Sequence, residues 1–315
     1  MIDITLIGTA ALFPTPARAL TAAFLTCGGH SILFDCGEGT QSAARKAGVN
    51  FMKADLIALT HYHGDHILGL PGLLQTMSNM KRTEILYITG PEGLQEELKP
   101  VLKLARRTFY PIEMIEISAN GLKLSEIIRG WASEAKLTAF KTEHCVPSQG
   151  YCFTLGRAGK FNPQAATELG VPVNQWGILQ KGQSIQLGDK IILPEQVLGE
   201  PRRGLKFVFT GDTAFCDNLI TASKDADLLI CEATYGEQEQ APHAIEHGRH
   251  MTFAQAATVA KQAGVKKLWL AHFSQMIMNP QEYLPNATAI FENAICGRDG
   301  LSTTLRFIDD NLSHD

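Results

Sequence analysis

Residues 60–66 read Thr60-His61-Tyr62-His63-Gly64-Asp65-His66, three imidazoles and a carboxylate directly after the apolar run Leu56–Leu59. Such groups are costly to bury without partners. Neutral imidazole and carboxylate are also the usual ligands of zinc and similar divalent cations. In an extended segment, His-x-His lets both rings point to one side, and Asp65 and His66 then turn back at the start of the following helix. The chemistry that fits is metal binding. Further ligands are expected at later strand ends, and three residues stand there. His144 closely follows Leu137–Phe140, Asp212 lies just past Phe207–Thr210, and His272 closes Leu268–Ala271. One histidine after a strand is ordinarily a solvated loop residue; three acceptors at equivalent places, beside the main string, form a set.

Short strands must position these residues. Ile2–Ile7, Ala23–Cys27 and Ser31–Phe34 read as strands, the last two joined as a hairpin around Gly28-Gly29. Leu56–Leu59, Ile85–Ile88, Leu137–Phe140, Tyr151–Leu155, Phe207–Thr210, Leu228–Cys231, Leu268–Ala271 and Thr304–Phe307 follow as strands. Helical spacing marks Leu68–Met77, Glu92–Arg106, Asp217–Ser223, Thr252–Ala263 and Pro280–Ala294. Strands and helices come in two similar batches, which favours an α/β chain of two mixed sheets packed face to face with helices outside. The expected organisation is a single domain over residues 1–315. Residues 156–204 are rich in Gly, Pro, Gln and Asn with weak periodicity, and read as an insertion or protruding arm.

Bulk properties narrow the function classes. Hydrophobic residues make up 45% and charged residues 19%, an ordinary globular balance. No apolar run is long enough for a membrane helix, and the N-terminus reads as a strand rather than a secretory signal, so the expected location is cytoplasmic. The seven cysteines are scattered without a Cys-x-x-Cys pair, which supports neither a disulfide scaffold nor a zinc ribbon. A net charge of -4 argues against nucleic-acid binding by the whole surface and leaves room for a local basic patch.

The His-x-His-x-Asp-His string, with Asp35, His144, Asp212 and His272, resembles the motifs of the metallo-β-lactamase superfamily, whose fold is an αββα sandwich. Neighbouring strings are most similar to ribonuclease Z, the endoribonuclease that trims tRNA precursors at the 3′ side. These are Asp35-Cys36-Gly37-Glu38-Gly39-Thr40, Gly69-Leu70-Pro71-Gly72-Leu73-Leu74, Gly211-Asp212-Thr213, Glu232-Ala233-Thr234 and His272-Phe273-Ser274. The resemblance implies two divalent ions per chain, zinc first, with manganese or iron also suited. One is held by His61, His63 and His144, the other by Asp65, His66 and His272, with Asp212 bridging. It implies a metal-bound hydroxide as nucleophile, with Asp65 orienting or deprotonating the water. It also makes His250 the donor of a proton to the leaving oxygen, Glu232 its orienting carboxylate, and Asp35 a supporting group. A homodimer acting on precursor tRNA is the corresponding partner expectation.

The chain departs from that pattern in three places. Cys231 stands where a histidine is usual, Met276 near where an arginine follows His-x-Ser, and the arm lacks its Gly-Pro pair. Two readings therefore stand side by side: the tRNA-processing phosphodiesterase, and a hydrolase of the same fold that acts on small phosphodiesters or other esters.

Overall fold

The computed structural model describes residues 1–106, 108–117 and 120–308. The first sheet begins with β1 (Ile2–Gly8), β2 (Ala22–Cys27), β3 (His30–Phe34), β4 (Ala54–Ala58), β5 (Leu86–Thr89) and β6 (Ile112–Ile115). The second begins with β7 (Leu122–Lys123), β8 (Ala135–Lys141) and β9 (Gln149–Arg157). After a hairpin, β10 (Ile185–Leu187) and β11 (Lys190–Ile192), it continues through β12 (Arg202–Phe209), β13 (Leu228–Glu232), β14 (Leu268–Ala271) and β15 (Ala294–Cys296). The last strand, β16 (Leu301–Leu305), returns to the first sheet beside β1. The two seven-stranded orders are β16-β1-β2-β3-β4-β5-β6 and β15-β14-β13-β12-β9-β8-β7. Gly28 and Gly29, both left-handed at φ 61° and 92°, make the β2–β3 turn, as two-residue hairpins require.

Successive side chains on a strand face opposite ways, and here each face has its own core. Phe34, Leu56, Ala58, Phe207, Phe209, Leu228 and Ile230 fill the space between the sheets. Their neighbours Leu33 and Ile57 pack under α1 (Thr40–Lys46), α3 (Leu70–Asn79) and α4 (Leu94–Leu104), with a single turn α2 (Gly64–Ile67) before α3. On the other side, Val208, Leu229 and Cys231 pack under the helices that follow β12 and β13. The layers are thus helix, sheet, sheet, helix, and both-face burial explains why the strands read as continuous apolar runs. Phe34 lies centrally, its ring centroid 5.5–5.8 Å from those of Tyr151, Phe207 and Phe209. Phe34→Ala is expected to cost about 3–5 kcal/mol of folding stability, read as a lower urea midpoint at unchanged slope.

Residues 158–201 leave the second sheet after β9 and rejoin it at β12. They contain α5 (Pro163–Glu168), α6 (Trp176–Gln180) and the β10–β11 hairpin. Ala166, Val171, Leu179, Ile185, Ile192 and Val197 give this stretch a small core of its own. The Trp176 indole donates to the Val171 carbonyl at 3.0 Å and its ring packs 5.1 Å from Phe161.

Three further helices, α7 (Asp217–Ser223), α8 (Ala241–Glu246) and α9 (Phe253–Ala263), precede a region the sequence misplaces. The expected helix Pro280–Ala294 is instead a 3-10 turn at Pro280–Glu282, a short helix α10 (Leu284–Thr288) and the strand β15. Pro285 sits in the first turn of α10, where its missing N–H is no loss, but its ring obstructs a preceding turn, so the turn at Pro280–Glu282 does not continue into α10 as one helix. The last strand, at Leu301–Leu305, starts three residues and ends two residues earlier than expected. Strands β6, β7, β10 and β11 are additions that the sequence pattern does not predict.

Candidate metal centre

The ligand string follows β4 as expected. His63 is extended at φ −63° and ψ 153°, and the single turn α2 then carries Asp65 and His66. Close backbone approach fixes this turn against the loop after β3. Cys36 N–H donates to the His66 carbonyl at 2.8 Å and Gly69 N–H to the Cys36 carbonyl at 2.9 Å. A Cβ on Gly37 would overlap the Asp65 carbonyl oxygen, and one on Gly69 the Gly37 carbonyl oxygen. Both positions therefore need glycine. From the second sheet, His144 follows β8, Asp212 follows β12 and His272 follows β14.

Seven predicted residues meet in two groups. In the first, His63 Nδ1 lies 3.0 Å from His61 Nε2 and 3.2 Å from His144 Nε2. Asp212 Oδ2 lies 3.7 Å and 4.0 Å from those two Nε2 atoms. In the second, Asp212 Oδ1 is 3.1 Å from His272 Nε2 and 3.5 Å from His66 Nε2. Asp65 Oδ2 is 3.7 Å and 3.6 Å from the same two nitrogens. Asp212 thus offers one oxygen to each group.

The residues fit a pair of divalent cations. Two atoms each bonded about 2.0–2.1 Å from a tetrahedral zinc stand about 3.4 Å apart, the spacing seen here. His66 Nε2, His272 Nε2 and Asp212 Oδ1 are buried and have no hydrogen-bond partner within the protein, a costly arrangement that a cation resolves. The outer nitrogens are fixed: Thr60 Oγ1 faces His61 Nδ1 at 3.1 Å, Thr234 Oγ1 faces His272 Nδ1 at 3.0 Å, and Asp35 Oδ2 faces His66 Nδ1 at 2.8 Å. Such partners orient ligating imidazoles. Asp35 also accepts from Thr60 N–H at 2.7 Å and Thr60 Oγ1 at 2.8 Å, so it braces the site rather than facing its centre. Asp35 and His272 hold left-handed backbones at φ 57° and 58°, unusual for residues with side chains. Burial lowers the proton affinity of His61, His63 and His144, keeping them neutral as ligation demands. Burial opposes ionisation of Asp212, but His272, His66 and His61 outweigh it and hold the carboxyl well below its usual range.

His250 and Glu232 stand beside the groups. His250 Nδ1 is 2.8 Å from Glu232 Oε1, and its ring centroid is 5.1 Å from that of His144 and 5.5 Å from that of His272. Glu232 is anchored by the N–H groups of Thr213, Thr234 and Met251 and by the Thr234 hydroxyl. Burial opposes the charge on His250, but the Glu232 carboxylate dominates and raises its pKa to about 9. A cleft of about 550 Å³ opens over both groups, with Leu12, Phe13 and Leu68 among its walls.

Some contributors left no clear trace in the sequence. Leu12, left-handed at φ 64°, donates its backbone N–H to Asp65 Oδ2 at 2.8 Å, a contact that does not depend on its side chain. Thr60 and Thr234 had a signal in retrospect, each flanking a site residue at a strand end. Cys231 alternates with Glu232 on β13 and packs into the helix-side core, so its replacement of a histidine leaves the cleft untouched. Met276 is exposed, while Gln275 reaches back to the Ala11 carbonyl at 2.9 Å.

Two face-to-face sheets with helices outside, and histidine–aspartate groups at their shared edge, define a metallo-β-lactamase-fold enzyme built to bind divalent metal. Residues 197–273 match the family model described as Beta-lactamase superfamily domain, and residues 2–162 match that described as Anti-Pycsar protein Apyc1. The chain belongs to the ribonuclease Z family. It is 41% identical to ribonuclease Z of Lachnoclostridium phytofermentans, over 98% of this chain and 99% of that one. It is 40% identical to the same protein of Agathobacter rectalis, over 98% and 100%. Among solved structures, human tRNase Z, short form, superposes with a TM-score of 0.65 at 27% identity, covering 97% of this chain and 100% of that one.

Proposed function

We propose that this chain is a binuclear-metal endoribonuclease that hydrolyses precursor tRNA at the 3′ side, acting in the cytoplasm as a homodimer with two zinc ions per chain. The observation that carries the reading is Asp212, whose two oxygens face separate histidine groups beneath a cleft that the His250–Glu232 pair also lines or supports. Family membership supplies the substrate class. His61, His63 and His144 hold one ion, and Asp65, His66 and His272 the other. When bound, the ions supply Lewis acidity to the phosphoryl group and a water acidic enough to attack near neutral pH. Asp65 would orient that water or take up its proton. His250 has its Nδ1 engaged by Glu232, so Nε2 is the nitrogen that delivers a proton to the leaving oxygen.

The test uses metal-loaded protein with labelled precursor tRNA and, in parallel, bis(p-nitrophenyl) phosphate. Cleavage of both, abolished by a chelator and restored by zinc, is expected. Turnover of the small diester without RNA cleavage would reassign the chain to small phosphodiesters. Elemental analysis of the purified protein checks the zinc assignment against manganese and iron.

A further inference from the structure

The arm segment 158–201 carries only Lys160, Lys181 and Lys190 against Glu168, Asp189, Glu195 and Glu200. It has no positive excess with which to hold RNA. The charge lies at its root. A groove of about 750 Å³ runs where β9 and β12 hand the chain to the arm and take it back, with Gly156 and Gly204 in its floor. Lys123, Lys136, Arg203, Lys206, Lys224 and Lys266 line it, against Glu134 and Asp225. Buried Asp227 lies behind and pairs with Arg203 at 2.8 Å and Lys266 at 2.9 Å. Lys206 Nζ donates to the Lys224 carbonyl at 2.7 Å. Among the described residues, Lys123, Lys136 and Lys224 form no ion pair. On a chain of net charge -4, this is a segregated positive surface.

We infer that this groove is a second RNA-contact site, one that binds the phosphodiester backbone of the substrate away from the bond that is cut. The inference rests on the nuclease reading above. β12 runs from Arg203 in the groove to Phe209, about 20 Å at strand rise, and Asp212 lies beyond its end, so the groove takes no part in the chemistry. Its ligand is a chain of phosphates rather than one small anion. The cations come from five separate segments, and all but Arg203 are lysines, point charges without the planar fork that clasps a single phosphate. Contacts of this kind position nucleic acid without reading its sequence and make affinity depend steeply on salt.

The experiment measures binding of labelled precursor tRNA by fluorescence anisotropy from about 50 to 200 mM salt, for wild type and for the double variant Lys136→Gln/Lys224→Gln. Both lysines lie outside the metal cleft. The variant is expected to bind roughly tenfold more weakly, with a slope of log affinity against log salt shallower by about two. Its turnover of bis(p-nitrophenyl) phosphate stays at the wild-type level. An unchanged slope and affinity in the variant would overturn the inference. So would displacement of the RNA by micromolar tripolyphosphate from wild type alone, which would mark a pocket for a small polyanion. Weaker, less salt-dependent binding by the variant together with no cleavage by wild type supports the groove and counts against the nuclease reading.

Discussion

His250→Ala is expected to slow cleavage of precursor tRNA by about 10²–10⁴-fold, the usual contribution of a positioned proton donor, while two metal ions per chain remain bound. The imidazole stands beside the two ligand groups, its ring centroid 5.1 Å from that of His144 and 5.5 Å from that of His272, and is tethered to Glu232 at 2.8 Å. Its loss therefore separates proton delivery from metal binding. Two measurements are needed together: single-turnover cleavage and metal content of the same sample. A fall in kcat with metal content unchanged fits the donor role. Loss of metal in parallel would make His250 a structural support, and unchanged cleavage would remove it from the chemistry. The small diester bis(p-nitrophenyl) phosphate sharpens the result, because its p-nitrophenolate leaves without needing a proton. Its turnover should fall far less than that of RNA.

Asp212→Ala is expected to abolish activity on both substrates, because it takes one oxygen from each ligand group at once. His144→Ala, by contrast, strips only the first group. The two variants should differ in metal content as well as rate: near zero for Asp212→Ala, and close to one ion per chain for His144→Ala. Thermal stability provides a further readout. A ligand that binds only the folded state stabilises it by about 2.7 kcal/mol at a hundred times its dissociation constant, so zinc should raise the melting temperature of wild type and leave that of Asp212→Ala unmoved. A zinc-dependent shift of wild-type size in the Asp212 variant would show that the bridge is dispensable.

Much of this centre was legible because its residues are chemically conspicuous and close in sequence. His61, His63, Asp65 and His66 lie within one turn and the strand end before it, and His144, Asp212 and His272 each follow an apolar strand. The sandwich was legible from the same strands, whose uninterrupted apolar character reflects burial on both faces. What stayed hidden was carried by backbone or by distribution. The Leu12 N–H that reaches Asp65 has no side-chain signature. Gly37 and Gly69 show their purpose only when two loops are seen pressed together. The helical spacing after Pro280 was real, yet Pro285 breaks it. The basic groove is invisible to a net charge, since Lys123, Lys136, Lys206, Lys224 and Lys266 are spread over nearly half the chain and meet only when the second sheet forms. The small core of residues 158–201 likewise comes from apolar residues too widely spaced to mark a single element.

Each ligand group takes donors from both sheets: the loop after β4 meets loops after β12 and either β8 or β14. A bound cation is therefore a clasp across one edge of the sandwich. A chain emerging during synthesis presents His61, His63, Asp65 and His66 long before His272, and the second group cannot close until β14 has docked. Capture of the second ion thus falls late in assembly, and a fully loaded molecule is one whose two sheets have already found each other.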